Sequence, residues 1–139
     1  MTYTQTQYGY IVCIHAGEEI MDTLLSFVRN HDLSGTTFTG LGAVRKADVG
    51  MYNMNTHAYE YTHLPNPHEI ANLTGNTARH DDDIHLHVHI TLANKKQQAF
   101  GGHLKQAVAE PTCEIHIIDH EVPFTRTHDA YSQLPLLNL

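Results

Sequence analysis

Ile84-His85-Leu86-His87-Val88-His89-Ile90-Thr91-Leu92-Ala93 decides how this chain is read. Successive side chains of a strand point to opposite faces, so Ile84, Leu86, Val88, Ile90 and Leu92 share one face while His85, His87, His89 and Thr91 share the other. One face is suited to a core, and the other is a row of imidazoles. A strand apolar on one side only is the pattern of an antiparallel sheet covered on one face.

Working outward, residues 94–98 read as a turn. Residues 100–108 read as a strand with Gly101-Gly102 just before His103, and residues 112–121 as a last strand with Ile115 and Ile117 in register. Upstream, residues 79–83 form a polar loop. Residues 68–77 and 58–64 are strands separated by Pro65-Asn66-Pro67, which breaks the pairing. Residues 36–44 and 47–52 read as two strands joined by a basic turn at Arg45-Lys46. Residues 8–15 give a first strand, with Val12 and Ile14 on one face and Ile11 and Cys13 on the other. Between this strand and residue 36, Ile20, Leu24, Phe27 and Val28 recur at helical spacing within residues 18–30. Acidic residues open that segment and Arg29 and His31 close it, as the helix dipole favours. Many strands with short turns and one amphipathic helix predict an α+β fold, mainly antiparallel.

The chain has 139 residues, the size of one domain, read here as 1–139 with a core at about 8–121, a C-terminal tail at 122–139 and order expected everywhere but the two ends. No apolar run approaches the ~20 residues needed to span a bilayer, and Met1 to Gln7 lack the basic-then-apolar order of a signal peptide, so a cytoplasmic location and no membrane partner are expected. Cys13 and Cys113 each sit in an apolar stretch outside any Cys-x-x-Cys pair and read as buried thiols. A formal charge of −7 with eight Lys plus Arg, scattered along the chain, argues against direct DNA binding, whose affinity comes mostly from cations meeting phosphates. Thirteen histidines, spread rather than gathered in a terminal tag, point instead to metal or proton chemistry.

Residues i and i+2 of a strand project from one face, so His-x-His can offer two nitrogens to one ion. Three in a row cannot easily do so, because His85 and His89 lie ~13 Å apart along the strand. An adjacent pair therefore needs a ligand from elsewhere. His103 is the natural third partner, since the glycines before it allow close approach of the backbones. Three histidines leave a fourth tetrahedral position for water or a ligand, and zinc suits neutral imidazoles, as do nickel, copper and iron.

Gly17-Glu18-Glu19 opening a helix, Leu33-Ser34-Gly35, Gly40-Leu41-Gly42-Ala43-Val44, Leu73-Thr74-Gly75-Asn76, His87-Val88-His89-Ile90-Thr91-Leu92-Ala93 and Gly101-Gly102-His103-Leu104 occur in order. In that order and spacing the chain resembles the plants-and-prokaryotes-conserved (PPC) domain from about Tyr8 to Glu121. The resemblance implies an α+β fold around an antiparallel sheet, a homotrimer, and a metal held by the His-x-His pair and the Gly-Gly-His histidine. Counting back from Leu92-Ala93, these are His87, His89 and His103, with His85 outside the pattern. Plant members carry AT-hook segments beside the domain, and prokaryotic members are described as DNA-binding on that similarity. This chain has no hook, and Asn66-Pro67-His68-Glu69-Ile70-Ala71 keeps only the Glu-Ile step of the plant segment Gly-Arg-Phe-Glu-Ile-Leu.

Two functions follow as expectations. One is a metal-binding homotrimeric module of regulation or assembly that reaches DNA or a regulatory protein through a partner or a composite surface. The other is a metal-dependent hydrolase of a small substrate. For catalysis Glu69 is the candidate general base. His116 and His120 read as surface groups sharing a face with Glu114, Asp81-Asp82-Asp83 as a solvated turn, and Ser26, Ser34 and Ser132 lack any nucleophile signature.

Overall fold

A computed structural model describes residues 1–138. Its elements are β1 (Thr2–Thr6), β2 (Gly9–His15), α1 (Ile20–Asn30), β3 (Thr36–Asn53), β4 (Ala58–Leu64), β5 (His68–His80), β6 (Asp83–Ala93), β7 (Ala99–Asp119), β8 (Thr125–His128) and β9 (Pro135–Asn138). The fold is α+β and almost wholly antiparallel, the exception being a parallel bridge between Arg79 of β5 and Thr125 of β8.

The long strands β3 and β7 are the frame. β3 pairs with β4, β5 and β7, and β6 pairs with β5 and β7, so the hydrogen-bonded neighbours β3, β5, β6 and β7 close a circuit. The predicted alternation of β6 holds throughout: Val88 and Leu92 are fully buried, and Ile84, Leu86 and Ile90 nearly so. Each such side chain contributes about 1.5–3 kcal/mol by leaving water. Helix α1 buries Ile20, Leu24, Phe27 and Val28 against the sheet, the four positions marked by its spacing.

Glu19 caps α1 by accepting from the Asp22 amide at 2.6 Å, and its second oxygen accepts from the Ala107 amide of β7 at 2.7 Å. One carboxylate thus satisfies an orphan helix amide and ties the helix to the frame. At the other end Arg29 donates from Nε to Asp83 Oδ1 at 2.9 Å and from Nη2 to Oδ2, anchoring α1 to the start of β6.

Four sequence expectations need correction. Arg45-Lys46 is not a turn: β3 runs through it, with β-bulges that bend the strand. The strands expected at 100–108 and 112–121 are the single strand β7, because the backbone groups of Ala109 pair with Gly17 and Glu18 in the β2–α1 connection at 3.0 Å each. The 79–83 loop shrinks to Asp81-Asp82, since His80 pairs with Asp83. The ends, to which the sequence reading gave no element, form strands: β1 pairs with β2, and β8 with β9. β1 exposes every side chain, so nothing periodic in its sequence betrays it.

Candidate metal centre

The hairpin joining β6 to β7 sets the site. Asn94 Oδ1 accepts from the amides of Lys96 at 2.8 Å and Gln98 at 3.2 Å, which shapes the turn and fixes the register that puts His89 opposite His103. Gly101 and Gly102 lie directly opposite Thr91 and Ile90. A Cβ on Gly101 would stand 2.2 Å from the Ile90 carbonyl oxygen, and one on Gly102 would stand 2.4 Å from that of Gly50. The two glycines therefore permit β7 to lie tightly between β6 and β3, and His103 follows at once.

The structure gathers His87, His89 and His103: one ligand atom from each lies within 4.8 Å of the others. Ring centroids are 5.1 Å apart for His87 and His89, 5.2 Å for His87 and His103, and 5.6 Å for His89 and His103. Nitrogens around a tetrahedral zinc at 2.0–2.1 Å sit ~3.4 Å apart, so small side-chain rotations close the remaining gap. The cluster is capable of coordinating a metal ion.

Its electrostatics fit that chemistry. Burial pulls His87 down to about 4, helped by the Arg126 guanidinium and then by the neighbouring imidazoles. Burial likewise pulls His103 to about 4, with His89 and His85 adding to the effect. Both rings are neutral at pH 7 and carry one lone pair each, the form that ligates. Tyr59 stacks on His103 with centroids 4.4 Å apart, and His103 Nδ1 is buried with no hydrogen-bond partner. A buried nitrogen without a protein partner, in a residue of the histidine cluster, fits the role of a metal ligand.

The other candidates lie apart. His85 is half-buried on the same face but outside the cluster, beside His80, and burial lowers its pKa. Glu69 is exposed on β5 opposite Ala93, four residues beyond His89 and ~13 Å along the strand from it. His116 and His120 are exposed on and just past β7; His120 Nε2 contacts Thr37 Oγ1 at 2.9 Å. Ser132 is buried, its hydroxyl donating to Asp129 at 2.7 Å.

Sequence reasoning missed Arg126. It is 8 % exposed, donates to the Pro135 carbonyl at 2.9 Å and to Asn76 Oδ1 at 2.7 Å, and stands 3.4 Å from His87 Nδ1. Its neighbours Thr125 and Thr127 on a four-residue strand give no signal that the position between them is buried at the site.

The family signature described as the Plants and Prokaryotes Conserved domain matches residues 1–121. The chain belongs to this family, the PPC family. No curated protein matches the PPC chain in sequence. Solved structures do. A protein of Bacteroides thetaiotaomicron provisionally described as DNA-binding is 28% identical, with a TM-score of 0.94 over 99% of this chain and 96% of its own. A protein of Ralstonia eutropha JMP134 described in the same way is 27% identical, with a TM-score of 0.92 over 99% and 95%. A metal-containing protein of Archaeoglobus fulgidus shares the fold, with a TM-score of 0.86 at 24% identity over 100% of both chains. Among the described residues of the PPC chain, no helix is long and apolar enough to cross a membrane.

Proposed function

We propose that this PPC chain is a cytoplasmic, homotrimeric metal-binding module of assembly or regulation, with zinc as the ion for His87, His89 and His103. The observation that carries the reading is the convergence of three ligand atoms within 4.8 Å on two adjacent strands. Two neutral imidazoles and an unpartnered buried nitrogen support it. Three imidazole ligands without a carboxylate suit zinc or a neighbouring transition ion better than calcium or magnesium, which prefer oxygen. Trimer formation is supported by the family resemblance and by Met51, Tyr61 and Phe100, which are exposed together on one surface depression.

The net charge of −7 sets the module against holding DNA by itself, so any DNA contact of the kind ascribed to its relatives runs through a partner or a composite surface. The test is elemental analysis of untagged protein, wild type beside His87→Ala/His89→Ala/His103→Ala. About one zinc per chain, lost in the variant, is expected; no metal in the wild type after incubation with zinc overturns the reading. Sedimentation reads the trimer. A strong, salt-dependent shift of duplex DNA by the protein alone would refute the indirect route.

A second reading, hydrolysis of a small substrate, is favoured by a cavity of about 220 Å³ that borders His87 and His103. A bound divalent ion would supply Lewis-acid polarisation and a more acidic water. His85, which also lines the cavity, is the residue placed to accept a proton, whereas Glu69 is remote. Turnover lost on chelation and regained with the ion separates this reading from the first.

A further inference from the structure

The cavity of about 220 Å³ beside the cluster is lined by Tyr59, His87, His103 and Arg126 together with Leu134 and Leu136, with no Asp or Glu among its lining residues. Arg126 is a cation more than nine-tenths buried, and among the described residues it makes no ion pair. A buried charge is expected to be paired. Among the described residues its hydrogen bonds go to neutral acceptors only, and its Nε–H has no partner.

His87 sharpens the point. A neutral imidazole has one lone pair, and His87 can offer it to Arg126 or to a metal ion but not to both. Once the lone pair goes to an ion, the guanidinium loses that acceptor and one more of its N–H groups is unfilled. A divalent ion held there would stand beside the guanidinium with no carboxylate among the described lining residues.

We infer that this cavity binds a small organic carboxylate, paired with the Arg126 guanidinium that lines it and with its head directed at the three-histidine cluster. A guanidinium edge matches the two oxygens of a carboxylate. Leu134, Leu136 and the Tyr59 ring suit a short apolar body, which separates this ligand from the strongly hydrated inorganic phosphate. At ~30 Å³ per water the space equals roughly seven waters, enough for an acid of a few carbons. Arg126 and both leucines come from residues 122–138, beyond the stretch matched by the family signature, so the segment after Glu121 supplies the ligand's reader.

The charge argument rests in part on the metal reading, whereas the Arg126 geometry does not, and the experiment keeps the two apart. Zinc stoichiometry is measured first, and calorimetry then follows butyrate binding to full-length protein with and without zinc. Butyramide, which is neutral, and inorganic phosphate are run in parallel, and the variants are Arg126→Gln and Arg126→Lys. Butyrate is expected to bind wild type and butyramide not to. Arg126→Gln is expected to weaken butyrate at least about tenfold while keeping its zinc, and Arg126→Lys to restore part of the loss. Equal binding of butyrate and butyramide, tighter binding of phosphate, or no butyrate binding at millimolar concentration overturns the inference, and the butyramide arm does so even if Arg126→Gln does not fold. Butyrate binding that depends on Arg126 in protein that takes no zinc sustains it while the metal reading falls.

Discussion

Alanine at Gly101 would put a Cβ 2.2 Å from the Ile90 carbonyl oxygen, where ordinary contact needs ~3.4 Å. Backbone on backbone cannot yield by a rotamer change, so β6 and β7 must part by about 1 Å. That parting falls two residues from the His89–His103 pair. Overpacking of this kind costs about 1–3 kcal/mol, which for a domain of this size lowers Tm by roughly 3–12 °C. Metal–nitrogen distances tolerate only about ±0.2 Å, so His103 can no longer share an ion with His89 unless the strands close again. Zinc affinity should therefore fall at least about tenfold, beyond anything that lost stability explains. Gly35→Ala is the control, because its Cβ would strike the Val122 carbonyl oxygen at 1.7 Å, in a part of the chain that does not build the cluster. Thermal denaturation without metal reads stability, and competition against a chromophoric chelator reads zinc affinity, both well below Tm. If Gly101→Ala binds zinc like wild type, or loses no more affinity than Gly35→Ala, the idea that glycine-permitted strand approach builds the site is refuted.

Three further outcomes follow. Zinc at a hundred times its Kd should stabilise the wild type by about 2.7 kcal/mol, an effect that chelator removes and that His89→Ala lacks in a thermal-shift assay. His87 and His103 have folded pKa values near 4, below the usual 6.5, so the unfolded chain takes up protons first as pH falls. Metal-free stability should thus be fully present above about pH 6.5 and decline toward pH 4. Urea midpoints of a His87→Asn/His103→Asn variant should be flatter between pH 6.5 and 5, and equal slopes would contradict the burial argument. Glu19→Ala removes both the cap of α1 and the acceptor for Ala107 and should cost about 1–2 kcal/mol in urea unfolding without changing zinc stoichiometry.

Much of the framework was legible because burial imposes a period. Ile84 to Leu92 alternate and Ile20 to Val28 follow a helical stripe, so each element announced its buried face before any partner was known. The register of the β6–β7 hairpin was also readable in outline, because two glycines before His103 have a direct use where strands crowd. What escaped was structure held by backbone pairing or by bends. β1 has no buried side chain, and β3 passes through Arg45-Lys46 on bulges that mimic a turn in the sequence pattern.

The sequence by itself determined the strand carrying the histidine row, the amphipathic helix and the short hairpin that can bring His103 to His87 and His89, since these depend on local period and turn chemistry. Only the tertiary structure decided that Tyr59 stacks on His103, that Glu69 stands away from the cluster, and that Arg126 approaches His87 from a short strand after the last long one. Those relations arise because β5 pairs with β6, while β4 is carried by β3 and β8 by β5 through long-range pairing. No local pattern encodes which distant side chain fills the space above a strand.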